Sequence, residues 1–122
     1  MSTEHTQLYI ELYNYKPAWF ELTQEERENY VDIVSKAIAE METGDVNVIG
    51  FGYNDSNTDR RAKYDFFCVY TMPNTEFARA FEEQVKASGW YNYFDQVNIS
   101  GPQKSYAVAL ADNAQQLKPE AQ

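Results

Sequence analysis

The spacing of apolar residues changes several times along the chain, and each change marks an element. Residues 8–15, LYIELYNY, alternate: Leu8, Ile10 and Leu12 take one side, and Tyr9, Glu11, Tyr13 and Tyr15 the other, which is the period of a strand. Lys16-Pro17 breaks that strand, because proline has no amide hydrogen to give the ladder. Thr23-x-x-Glu26 is a capping box, in which hydroxyl and carboxylate satisfy the free amides of a helix start. Behind it Tyr30, Ile33, Val34, Ala37, Ile38 and Met41 recur at helical spacing, Glu25, Glu28, Asp32 and Lys36 face water, and Gly44 closes the helix.

Residues 45–54 return to period two, with Val46, Val48, Gly50 and Gly52 set against Asn47, Ile49, Phe51 and Tyr53. Two glycines on one side suit either a closely approaching helix backbone or a bulge. Residues 55–63, dense in turn formers and charge, predict an exposed hairpin loop. Residues 64–72, YDFFCVYTM, are apolar on both sides, as in a central strand. A second helix follows Pro73, capped by Asn74 or Thr75, with Phe77, Ala78, Phe81 and Val85 as its buried stripe and Ser88-Gly89 as its end. After an aromatic connection, WYNYF at 90–94, residues 95–100 predict a short fourth strand that Gly101-Pro102 stops. Residues 105–110 fit one more short strand or helix, and the last dozen residues have the composition of a frayed end.

Strand, helix, strand, hairpin, strand, helix, strand is the ferredoxin-like βαββαβ order. It is an α+β fold with a four-stranded antiparallel sheet and two helices on one face. If Leu8, Ile10 and Leu12 meet the helices, then Tyr9, Glu11, Tyr13 and Tyr15 lie on the bare face, joined by Ile49, Phe51 and Tyr53. So apolar a surface calls for cover, and the economical cover is a second copy, sheet against sheet, in a two-fold homodimer. On these elements, residues 8–101, the chain resembles the dimeric α+β barrel superfamily. LYIELYNYKPAW together with GWYNYFDQVNISG is, more closely, similar to a bacterial family of small proteins of unknown function. The resemblance implies a barrel shared between two sheets and no assigned activity. Residues 1–7 are then an N-terminal tail and 102–122 a partly disordered extension.

Composition narrows the partners. With 122 residues, 43% of them apolar, the chain makes one domain with one core. Aromatics are 16% and ten are Tyr, enough to line an interface or a cavity. A net charge of −9 argues against nucleic acid and anionic membranes, and the densest basic group, Arg60, Arg61 and Lys63, falls in the loop. Cys68 is the only cysteine, so no internal disulfide forms, which suits a reducing cytoplasm. The polar start MSTEHTQ has no leader-like apolar run, and no segment approaches a membrane span.

Candidate chemistry centres on Glu11. A carboxyl among aromatic rings gains proton affinity, so it can serve as a general base towards an acidic carbon or a phenol. Tyr9, Tyr13 and Tyr53 would donate to a developing oxyanion, with Tyr15 and Phe51 beside them. The plainer role for Glu11 is to accept hydrogen bonds from those hydroxyls. Asp65 pairs with Glu11 if it faces the same way, and is simply solvated otherwise. Asn98 shares a face with Gln96 and Ser100, either at a barrel rim or satisfying exposed backbone. Trp19 and Trp90 lie in connections that converge near one end of the sheet, where they frame a pocket mouth or plug the core. His5 and Cys68 are too far apart for a metal site, and Cys68 in an apolar strand is inert core. Haem enzymes of the resembled superfamily use a histidine ligand, which these strands lack; Gly50-Phe51-Gly52 sits inside a strand, so it is no phosphate loop. No cofactor is therefore expected. Three functions follow: a cofactor-independent monooxygenase or isomerase for an aromatic or polyketide-like substrate, a non-catalytic ligand-binding dimer, or a dimer whose aromatic face is interface alone.

Overall fold

The computed structural model describes residues 6–116; His5 and the rest of the first five residues, and 117–122 of the expected frayed end, lie outside the described residues. Alternation carries β1 (Gln7–Tyr15) through nine residues. Pro17 then does more than end it. It opens a short helix, α1 (Pro17–Glu21), at a first-turn position where its missing amide hydrogen has no partner to lose. The capping box forms in both directions, Glu26 N–H to Thr23 Oγ1 at 3.1 Å and Thr23 N–H to Glu26 Oε1 at 2.8 Å, and starts α2 (Gln24–Glu42).

The hairpin joins β2 (Asn47–Tyr53) to β3 (Phe66–Met72). Asn74 caps α3 (Thr75–Ala87), its Oδ1 accepting from Phe77 N–H at 2.7 Å. The aromatic connection is a 3-10 turn (Trp90–Asn92), and Phe94 already belongs to the fourth strand, β4 (Phe94–Pro102), which runs through Gly101-Pro102 rather than stopping before them. Residues 105–110 resolve as helix: Ser105 caps α4 (Tyr106–Gln115).

The four strands form one sheet in the order β2-β3-β1-β4, with every neighbouring pair antiparallel. β3 is central, as its two apolar sides required, and β1 and β4 are neighbours.

The faces are the reverse of the expectation. β1 pairs Tyr9 with Tyr70, Glu11 with Cys68 and Tyr13 with Phe66. It is this side that α3 covers: the Phe81 ring lies 5.5 Å from that of Tyr9 and 5.2 Å from that of Tyr70. Tyr9, Tyr13, Val46, Cys68, Tyr70, Met72, Ala78 and Phe81 are the buried core. Leu8, Ile10 and Leu12, with Phe67, Val69, Val97 and Ile99, occupy the opposite face, where Val97 is 46% and Ile99 61% exposed.

The period of β1 identified the two sets but not which set goes inside. A tyrosine ring removes roughly 150–250 Å² from water, more than a leucine, and its hydroxyl is tolerated inside once paired. Here the pairs exist: Tyr9 Oη donates to Glu82 Oε2 at 2.7 Å, and Tyr13 Oη to Glu11 Oε1 at 2.5 Å.

In β2 a bulge between Val48 and Gly50 resets the alternation. Val48, Phe51 and Tyr53 oppose Tyr70, Cys68 and Phe66 on the helix side, whereas Gly50 and Gly52 oppose Val69 and Phe67 on the other. The glycines therefore admit no helix. A Cβ at Gly52 would lie 2.4 Å from Phe67 Cζ, so the close approach there is by a ring.

Candidate functional site

No residue of α2 is buried. Its apolar stripe of Tyr30, Ile33, Val34, Ala37, Ile38 and Met41 lines one wall of a cavity of about 150 Å³. Glu11, Tyr13, Phe51 and Tyr70 from the sheet, with Phe81 and Val85 from α3 and Trp90 from the 3-10 turn, line the rest. The cavity thus lies within one protomer, between helix and sheet, and not on the face opposite the helices.

Glu11 is 3% exposed. Its Oε1 accepts from Tyr13 Oη and its Oε2 from Gln96 Nε2 at 2.6 Å. Burial, which removes water from the charged form, pushes its pKa above the usual carboxylate range; hydrogen bonds from Tyr13, Tyr70 and Gln96 pull the other way and only partly offset it. Burial first, and then the charge of Glu11, drives Tyr13 and Tyr70 far above an ordinary phenol, so both remain hydrogen-bond donors at any working pH. Burial likewise pushes the Cys68 thiol up to about 12.

Two polar atoms in this neighbourhood are buried with no hydrogen-bond partner, Trp90 Nε1 and Gln96 Oε1. Gln96 directs its amide nitrogen to Glu11 and, at 2.7 Å, to Asn98 Oδ1, which leaves its own carbonyl unanswered. An orphaned group of this kind costs about 1–3 kcal/mol. The strand therefore gives up some stability to hold donors on the acid.

The residues singled out from sequence divide sharply. Glu11, Tyr13, Phe51 and Trp90 meet at the cavity. Asn98 stands opposite Glu11 in the β1–β4 register and reaches it through Gln96. Tyr9 shares their face, but its hydroxyl is taken by Glu82. Tyr15 and Tyr53 lie farther along the sheet beside Phe66, where with Phe51 and Gly52 they line a separate hollow of about 270 Å³ without an acid in its lining, and Tyr53 is 83% exposed. Asp65 does not join Glu11. It precedes β3, exposed, and its Oδ2 accepts from Tyr15 N–H at 3.0 Å.

Trp19 and Trp90 converge as expected, on Phe94, with ring centroids 4.9 and 4.0 Å away. Only Trp90 reaches the cavity; Trp19 plugs the cluster with Tyr30 and Tyr93. Gln96 and Tyr70 were missed. Gln96 was legible as the neighbour of Asn98 on the same face, while Tyr70 carried no signal beyond strand spacing.

Among the described residues no group of three His, Cys, Asp or Glu side chains could hold a metal ion, and no helix is long and apolar enough to cross a membrane. No curated protein and no solved structure matches the chain. One family model does, over residues 6–116, and its description is a family of unknown function.

Proposed function

From the premise that the chain belongs to that family, DUF6616, we propose that it acts as a homodimer holding a small organic molecule beneath α2, with Glu11 as the polar anchor. The observation that carries this reading is one carboxyl, almost wholly buried, at the wall of an apolar cavity that the neighbouring helix lines without packing tight. Burying an ionisable group is expensive, and groups so placed cluster at working sites.

The dimer pairs the aliphatic faces of two ferredoxin-like sheets, in the manner of a dimeric α+β barrel. The barrel interior is then packed with Ile10, Leu12, Val97, Ile99 and their symmetry mates, and each protomer keeps a cavity of its own. Four strands, each at least seven residues long, present a face of at least about 23 by 19 Å, large for an apolar patch left in water. The setting is the cytoplasm, which the free thiol of Cys68 suits.

A second reading is catalytic, and the high proton affinity of Glu11 in apolar surroundings favours it. Glu11 would remove a proton from bound substrate while Tyr13 and Tyr70 donate to the oxygen that gains charge, in a cofactor-independent monooxygenase or isomerase. A thermal-shift screen of small metabolites on wild type, Glu11→Gln and Ala37→Trp tests both. A compound that stabilises wild type but not Ala37→Trp, whose indole fills the cavity, supports the site. Turnover lost in Glu11→Gln with binding retained selects the enzyme. Equal shifts in wild type and Ala37→Trp would remove the cavity from consideration.

A further inference from the structure

We infer that the molecule this cavity takes is a compact organic amine, bound as its ammonium ion with nitrogen on Glu11 and hydrocarbon under α2. The inference rests on the cavity reading above and adds the chemical class of the occupant.

Charge comes first. Glu11 has no cationic partner among the described residues: the ion pairs there join Lys36 to Asp32, Arg79 to Glu82, Lys86 to Glu83 and Lys104 to Asp112. The side chains lining the cavity include this one acid and no Lys, Arg or His. An anionic occupant would face the carboxylate with nothing to balance it, whereas an ammonium supplies the missing charge.

Hydrogen-bonding capacity points the same way. An ionised carboxyl offers about four acceptor sites. Tyr13 and Gln96 take one on each oxygen, and Tyr70 adds a third interaction, so a site remains for an N–H donor.

The walls fit too. Tyr13, Tyr30, Phe51, Tyr70, Phe81 and Trp90 bring six aromatic rings to the lining, and the faces of such rings attract organic cations. A volume of about 150 Å³ matches a cavity that accommodates benzene, room for one ring or a short branched chain. The net charge of −9 favours the approach of a cation.

Calorimetry on the full chain with three probes of one shape, benzylamine, benzyl alcohol and benzoate, tests this. Benzylamine is expected to bind about tenfold or more tighter than the alcohol, the scale of a charge-assisted hydrogen bond, and Glu11→Gln to erase that preference. The preference also grows with pH from the acid side as Glu11 ionises. The other titratable groups near Glu11 are Tyr9, Tyr13, Cys68 and Tyr70 on the sheet and Tyr91 on the 3-10 turn; Glu82 on α3, which holds the Tyr9 hydroxyl, is already paired with Arg79.

Benzyl alcohol or benzoate binding as tightly as the amine, or a preference that survives Glu11→Gln, overturns the amine while leaving the cavity in place. Wild type that binds none of the three, or binds them equally in Ala37→Trp, overturns both. Circular dichroism of the variants establishes that they are folded, and Ala37 is itself exposed, on a helix with no buried residue, so its replacement removes no core side chain.

Discussion

Ile99→Lys probes the assembly at its most exposed apolar point. Ile99 sits on edge strand β4 opposite Ile10, on the face turned away from α2 and α3, and is 61% exposed in the protomer. Fully burying an isoleucine contributes about 1.5–3 kcal/mol, so completing the burial of Ile99 contributes roughly 1–2 kcal/mol. Two-fold symmetry counts the position twice, giving roughly 2–4 kcal/mol for the dimer. Loss of that amount raises the dissociation constant roughly 30- to 1000-fold, before the repulsion between two ammonium groups brought into one interface is counted. Sedimentation velocity over a concentration series reads this directly. The protomer itself is expected to keep its circular dichroism, because Ile99 is outside the core. Tyr53→Lys is the control: it lies on the other face and should leave the equilibrium where it was. A wild type that stays monomeric at tens of micromolar, or an Ile99→Lys variant as dimeric as wild type, would refute the sheet-to-sheet assembly.

Gly52→Ala should destabilise the protomer by about 1–3 kcal/mol in urea denaturation, since its new methyl would sit 2.4 Å from the Phe67 ring; adding Phe67→Leu should recover part of the loss, and an unchanged midpoint would show that the ring is not held there. Cys68, buried and with its thiol pushed up to about 12, should resist a thiol reagent at pH 8 until the chain unfolds. Labelling of the native protein at the rate of a free cysteine would contradict its placement.

Element types were largely legible because their signals are local. The Thr23 box, the Asn74 cap and the alternation in LYIELYNY each report on backbone within a few residues, and the structure carries all three. Faces are a different matter. Which side of β1 goes inside depends on what α3 brings to it, and neither Phe81 nor Glu82 is visible from within β1. Hydropathy ranks Leu above Tyr, yet the rings with their paired hydroxyls fill the core. A bulge was one of the two readings that Gly50 and Gly52 offered, and it is the one that holds; what the alternation hid is that it falls at Ile49 and exchanges faces partway along the strand. Glu11 stood out as a lone acid among tyrosines, and that oddity survives the reversal of faces. The cavity could not be read, since the stripe on α2 is the same whether it packs against a sheet or stands away from one.

The central claim is that Glu11 is an acid held out of water beneath the helices. Unfolding free energies of wild type and Glu11→Gln, compared across a pH series in urea below the range where phenols and thiols titrate, test it most directly, because groups not coupled to Glu11 cancel in the difference. The folded pKa of Glu11 is raised above the ordinary 4.5, so the native state holds its proton more tightly than the unfolded chain does. Its contribution is complete below 4.5 and is lost as pH rises through the folded value. The stability of wild type relative to the variant is therefore expected to fall with rising pH, by at most about 1.4 kcal/mol per unit, and then to level off. A difference that stays flat from pH 4 upward, or climbs, contradicts the account.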